Sequence, residues 1–219
     1  DLHSLRRRQR QMCIRDSWNR KEHFKFFSAL DDPFWGITTT VDFTSIYQQS
    51  KNMEVSFFLY SVHFLLKCIN ATTAFKLRIE NGEVVEYDKI NISPTIGRED
   101  GTFGFGFFEY DTDLSLFIEN AEKEIHRVKN STGLSFSKDT ARADVIRYSA
   151  LPWFAFSEMK HAGSIQTGDS IPKISTGKLI QEKKKLLLPI SISVHHGLVD
   201  GRNVAEFIQN VKDGQNNTL

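Results

Sequence analysis

Lys185-Leu186-Leu187-Leu188-Pro189-Ile190-Ser191-Ile192-Ser193-Val194 runs directly into His195-His196-Gly197-Leu198-Val199-Asp200-Gly201 near the C-terminal end of the chain. The first stretch is apolar and β-branched, the pattern of a buried strand. The second delivers histidine at the strand's end, with an acid and a glycine turn behind it. Only His196 stands four residues ahead of the Asp200-Gly201 pair, giving H-x-x-x-D-G. An imidazole so placed suits acid–base work on an acceptor hydroxyl.

Working outward, strands and helices alternate. Trp18 to Phe27 reads as a short helix stopped by Asp31-Asp32-Pro33, and Phe34 to Phe43 as a strand rich in Thr, Ile and Val. A helix capped by Thr44 follows, then a well-buried helix from Ser56 to Ala71 with apolar residues at i, i+3 and i+4. Lys76–Glu80 and Glu83–Tyr87 flank Asn81-Gly82, a hairpin signal. Ile92–Ile96, Thr102–Tyr110, Asp144–Ala150, Phe154–Met159 and Ile171–Ile180 read as further strands, and Leu114–Lys129 and Arg202–Lys212 as amphipathic helices. The expected fold is a two-layer α/β sandwich, a mixed and mostly antiparallel sheet covered by helices. A single domain is expected over 18–213, with a short C-terminal tail at 214–219.

Composition narrows the function classes. A net charge of +1, with five arginines concentrated in the first fifteen residues, leaves no basic face for nucleic acid. Cys13 and Cys68 are too few for a disulfide framework and lack metal-ligand spacing, so no metal is expected and a reducing cytoplasm is the natural home. No apolar run approaches membrane-spanning length. Residues 1–17 show no core-forming period, and Arg8 to Ser17 resembles translated sequencing-adapter sequence; 1–17 are read as a non-native or disordered tail. The 18 Phe residues serve packing first, and some line an aromatic pocket.

Five blocks, Trp18-Asn19-Arg20-Lys21-Glu22-His23-Phe24, Tyr148-Ser149-Ala150-Leu151-Pro152-Trp153, Ile174-Ser175-Thr176-Gly177-Lys178, Leu187-Leu188-Pro189 and the His195–Gly201 stretch, stand in one order and approximate spacing. That order resembles the chloramphenicol acetyltransferase family, within the CoA-dependent acyltransferases, from Trp18 to about Lys212. H-x-x-x-D-G is shared across the superfamily, whereas W-x-R-K-E-H-F and S-x-x-P-W are narrower.

The resemblance implies acetyl transfer from acetyl-CoA, as co-substrate with no permanently bound cofactor, to a small hydroxylated acceptor. It makes His196 the general base, whose neutral ring must hold its proton on the other nitrogen, as a backbone carbonyl can enforce. His195 is left a structural role. Asp200 is implied to pair with Arg20 and brace the loop carrying the base. Ser149 is the implied oxyanion donor. Ser175 stands where the family usually has a threonine, Lys178 matches a CoA-contacting lysine, and Trp153 lies near the pantetheine path. Phe27 and Phe103 belong to the acceptor side, where Asp31-Asp32-Pro33-Phe34-Trp35 departs from the family's antibiotic-resistance enzymes in length and composition. A homotrimer with active sites between subunits is also implied. Alternatives are another hydroxylated metabolite as acceptor, a degenerate trimeric binding protein, or a 2-oxo acid dehydrogenase acyltransferase core, which usually sits behind lipoyl and linker segments not seen here.

Overall fold

The computed structural model describes residues 11–13, 18–163 and 168–216. In chain order the strands and helices are β1 (Gln11–Cys13), α1 (Lys21–Ser28), β2 (Phe34–Asp42), α2 (Thr44–Asn52), α3 (Phe57–Asn70), β3 (Leu77–Glu80), β4 (Glu83–Tyr87), β5 (Asn91–Gly97), β6 (Phe103–Phe105), α4 (Leu114–Lys129), β7 (Val145–Ala150), β8 (Lys173–Thr176), β9 (Ile180–Glu182), β10 (Lys185–His195) and α5 (Gly201–Asn216). Among the described residues a large sheet runs β2-β10-β8-β7-β5-β6, with β9 also on β10, and a small sheet runs β1-β4-β3. Of the strand pairings among the described residues, only β5–β7 and β7–β8 are parallel. The mixed, mostly antiparallel sheet is therefore present. β1 places Gln11–Cys13, within the expected tail, against β4.

β10 organises the molecule. It pairs with β2 over nine residues and with β8 over four. Its alternate residues Leu188, Ile190, Ile192 and Val194 belong to the main core cluster, together with Leu59, Val62, Leu65 and Ile69 of α3 and Val204, Phe207 and Val211 of α5. Helix α3 is nearly apolar all round, as expected of a helix packed on several sides. Phe207 meets Phe75 with ring centroids 4.9 Å apart, both fully buried. Burying each such ring contributes about 1.5–3 kcal/mol.

The other face of the large sheet is polar. Register places Thr38 of β2, Ser191 of β10, Ser175 of β8 and Ser149 of β7 side by side. Thr95 of β5 completes this hydroxyl row, with its Oγ1 3.2 Å from Ser149 Oγ. One row along, Gly36, Ser193, Lys173, Arg147 and Ser93 line up in the same way.

Several sequence expectations need correction. Thr44 does not cap α2: it is the first helical residue, and Asp42 Oδ1 accepts its amide (3.0 Å) and hydroxyl (2.6 Å). Phe154–Met159 is not a strand. It follows β7, whose two edges are taken by β5 and β8, so it cannot pair with the strand it leaves. It crosses the polar sheet face instead, where the Met159 carbonyl accepts from Ser191 Oγ at 3.4 Å. Ile171–Ile180 splits into β8 and β9, and of Thr102–Tyr110 only β6 is strand, with an isolated bridge at Phe108. Helix α5 continues past 213 to Asn216 because Gln215 is buried and its Oε1 accepts from Ser45 Oγ of α2 at 3.2 Å. The hairpin is as expected, with Asn81 and Gly82 both at positive φ.

Candidate active site

His196 lies in the turn between β10 and α5, and three elements converge to hold it. Its backbone amide donates to the Pro33 carbonyl at 2.8 Å, and its carbonyl accepts from Arg20 Nη2 at 3.3 Å. Its ring stacks on Phe27 of α1, centroids 3.8 Å apart at 16°, and the Trp35 ring lies 5.4 Å away. Trp35 Nε1 donates to the Val199 carbonyl at 3.0 Å, tying the same turn to β2. Gly197 permits this arrangement: a Cβ there would sit 3.0 Å from the His195 ring and 3.3 Å from the Phe24 backbone, so α1 packs directly on the turn.

Arg20, just ahead of α1, forms an ion pair with Asp200. Asp200 has a second task that its motif did not reveal. Its Oδ1 accepts from the amides of Arg202 (2.9 Å) and Asn203 (3.1 Å), and its own amide donates to Asn203 Oδ1 (3.0 Å). This is a reciprocal N-cap of α5. Burial pushes the Asp200 carboxyl pKa up, but the Asn203 amide and Arg20 outweigh it, and the net position is below the usual value. One carboxylate thus ties α1, the histidine turn and the start of α5 together.

The expectation that a backbone carbonyl fixes the His196 tautomer is not met. His196 Nδ1 is buried and has no hydrogen-bond partner among the described residues. Ring stacking, rather than a carbonyl, orients the imidazole. His195 is different: it is 3 % exposed, and its Nδ1 accepts from the Gly197 amide at 3.2 Å, which leaves the ring proton on Nε2. Burial drives its pKa down to about 4, so it stays neutral at working pH.

The remaining candidates lie elsewhere. Ser149 and Ser175 sit in the hydroxyl row, with Ser175 fully buried and its Oγ 2.9 Å from His161 Nε2. Trp153 is 73 % exposed beyond β7. Lys178 is also exposed, and its amide donates to the Phe154 carbonyl at 2.9 Å. Phe103 on β6 is exposed, its ring edge-on to Phe105. Register shows which of these meet. From Ser149 to His196 is two strands across and five residues along β10. At about 4.8 Å per strand and 3.3 Å per residue, the two are roughly 19 Å apart within one chain. Arg20, Asp200, Phe27 and His196 form one cluster; Ser149 and Ser175 form another.

A cleft of about 970 Å³ opens along the polar face, between the β2 end of the sheet and the 157–163 segment. Phe34, Lys173, His161 and Asp169 are among its lining residues, and sequence reasoning singled out only the first, within Asp31–Trp35. A lone lysine in an apolar strand, Pro172-Lys173-Ile174, was the available signal for the second. No helix among the described residues is long and apolar enough to cross a membrane.

The sheet, its helices and the histidine turn define the CoA-dependent acyltransferase fold. A solved structure of a probable dihydrolipoamide acetyltransferase from Listeria monocytogenes shares it at 11 % identity and TM-score 0.66, over 93 % of this chain and 94 % of that one. Likeness is greater to a solved chloramphenicol acetyltransferase: TM-score 0.86 and 28 % identity, over 94 % and 99 % of the two chains. Chloramphenicol acetyltransferase 3 of Escherichia coli is 27 % identical over 204 residues, 93 % of this chain and 95 % of that protein. A family model described as chloramphenicol acetyltransferase matches residues 11–212. The chain belongs to the chloramphenicol acetyltransferase family, a family of enzymes.

Proposed function

We propose that this protein is an acetyl-CoA-dependent O-acetyltransferase acting on a hydroxyl of chloramphenicol or a related small acceptor, as a cytoplasmic homotrimer whose sites lie between subunits. His196 Nε2 takes the proton of the acceptor hydroxyl as its oxygen attacks the thioester carbonyl. Ser149 Oγ donates to the tetrahedral oxyanion, its position set by Thr95. Collapse of the intermediate breaks the C–S bond, and the imidazolium returns its proton to the departing thiolate. For Nε2 to accept, Nδ1 must carry the ring hydrogen. Phe27 holds the ring, and the Arg20–Asp200 brace holds the backbone under it. Phe103 and Ser175 serve the acceptor side, and Trp153 and Lys178 the path of acetyl-CoA. A host making the enzyme would gain tolerance to chloramphenicol.

The observation that carries this reading is the division into two clusters. Base and oxyanion donor are roughly 19 Å apart in one chain, too far for one tetrahedral centre to touch both. A neighbouring copy closes that gap, as closed cyclic symmetry allows. Subunit mixing tests it. His196→Ala and Ser149→Ala chains each retain at most about 1 % of wild-type activity in thiol release from acetyl-CoA with chloramphenicol. Refolded together in equal amounts, they regain roughly a quarter of wild-type activity, because random mixing pairs an intact base with an intact serine at that frequency. No recovery in mixed oligomers of verified composition removes the shared site.

A further inference from the structure

Lys173 is 6 % exposed, yet it points from β8 into the cleft rather than into the core. Its ammonium lies 4.5 Å from the centroid of the Phe34 ring and 3.5 Å from Asp169 Oδ2, a loose contact. That same carboxylate oxygen takes a tighter bond from Arg147, at 2.9 Å. Two cations thus share one carboxylate, and an ammonium with three donors has capacity left. The Gly163 backbone closes over it; a Cβ there would come within 2.8 Å of Nζ. The same wall carries His161, whose Nε2 is engaged by Ser175 while its buried Nδ1 has no partner among the described residues. Burial and the Lys173 charge both hold this imidazole neutral.

A cation left half-satisfied by the described residues at a buried floor is costly unless something completes it. The acids Asp32 and Glu158 also line the cleft, but both are exposed at its rim, where solvent screens them. Register fixes the spacing to the proposed oxyanion donor. Lys173 is two residues along β8 from Ser175 on the same face, and Ser149 is one strand further. The diagonal from Ser149 to Lys173 is roughly 8 Å.

We propose that Lys173, with Phe34 and His161, forms an anion-recognising subsite, so that this enzyme prefers acceptors carrying a carboxylate roughly 8 Å from the hydroxyl that receives the acetyl group. This rests on the acetyltransferase reading for its direction of substrate, while the anion site itself stands on the cleft alone. Chloramphenicol is uncharged and adds nothing to the ammonium's loose contact with Asp169.

The test compares 4-(hydroxymethyl)benzoate with its neutral methyl ester as acceptors, in thiol release from acetyl-CoA, next to chloramphenicol. In the wild type the acid has at least about tenfold higher kcat/KM than the ester, carried by KM. Lys173→Met abolishes that ratio and leaves turnover of chloramphenicol within about twofold; Lys173→Arg retains most of the preference and guards against a folding defect in the Met variant. Equal rates for acid and ester in the wild type, or a preference that survives in a folded Lys173→Met, overturn the proposal. Calorimetric titration of 4-(hydroxymethyl)benzoate without acetyl-CoA separates the two readings. Lys173-dependent binding with no acetylation of any acceptor sinks the transferase reading and keeps the subsite. Chloramphenicol acetylation with no Lys173-dependent binding does the reverse.

Discussion

Replacing Asp200 separates two roles that one carboxylate plays. Asp200→Asn keeps an N-cap acceptor of equal quality and removes the charge facing Arg20. The pair is partly buried, with side chains 18 % and 33 % exposed for Arg20 and Asp200, so its loss is well below that of a fully buried pair once solvent screening is allowed for. We expect about 1–2 kcal/mol from the charge alone. Asp200→Ala also removes the acceptor for the Arg202 and Asn203 amides, adding about 1 kcal/mol. At about 2–4 °C per kcal/mol for a chain of this size, Asn lowers the melting point by roughly 2–8 °C and Ala by a few degrees more. Circular-dichroism melts at matched protein concentration measure both. Turnover falls with Asn as well, because Arg20 Nη2 no longer holds the His196 carbonyl in place. The folded carboxyl pKa is depressed, so this contribution is present above the unfolded value near 4 and disappears as pH falls through the folded one. The melting points of wild type and Asp200→Asn therefore converge in strong acid. A variant that melts with the wild type at neutral pH and turns over normally would refute the brace; equal melting points for Asn and Ala would refute the cap.

Other outcomes follow from the same geometry. His195 is buried neutral with a pKa near 4, below its unfolded value, so the unfolded chain binds more protons between about pH 6.5 and 4 and stability declines across that window as pH falls, by up to about 3 kcal/mol. His195→Asn, which offers an acceptor to the Gly197 amide without titrating, flattens that slope in denaturant titrations run at several pH values; an unchanged slope assigns the acid sensitivity elsewhere. Ser149→Ala lowers kcat on the order of 10²- to 10³-fold with KM little changed, as loss of one oxyanion donor does. His196→Ala abolishes turnover but keeps the melting point and acetyl-CoA binding, and near wild-type rates in that variant would overturn the mechanism.

Local signals carried much of the fold. The apolar spacing of α3 and α4 and the Asn81-Gly82 turn depend on near neighbours alone, and they read through. Phe154–Met159 misled because alternation says nothing about whether a sheet edge is free to pair. The Arg20–Asp200 pair was legible through its motifs across 180 residues. Asp200 as a cap was also legible, from the acid followed three residues later by Asn203, but the motif reading absorbed it first. His161 was not, and Lys173 only as a lone lysine in an apolar strand. Their contacts to Ser175, Phe34 and Asp169 arise from tertiary packing against β8, and no spacing rule foretells such neighbours.

The hydroxyl row gives the sheet two surfaces with separate obligations. Alternate residues of β10 either join the apolar cluster beneath the helices or face the row and the segment crossing it. Ser175 and Ser191 in the row are buried and admit little added volume, whereas substitutions in the mostly exposed 154–163 leave the folding core's volume untouched. Variation there can explore new small-molecule shapes at little cost in stability, while drift on the opposite side is checked by packing. What this chain accommodates can thus change through that segment while the packing that folds it stays fixed.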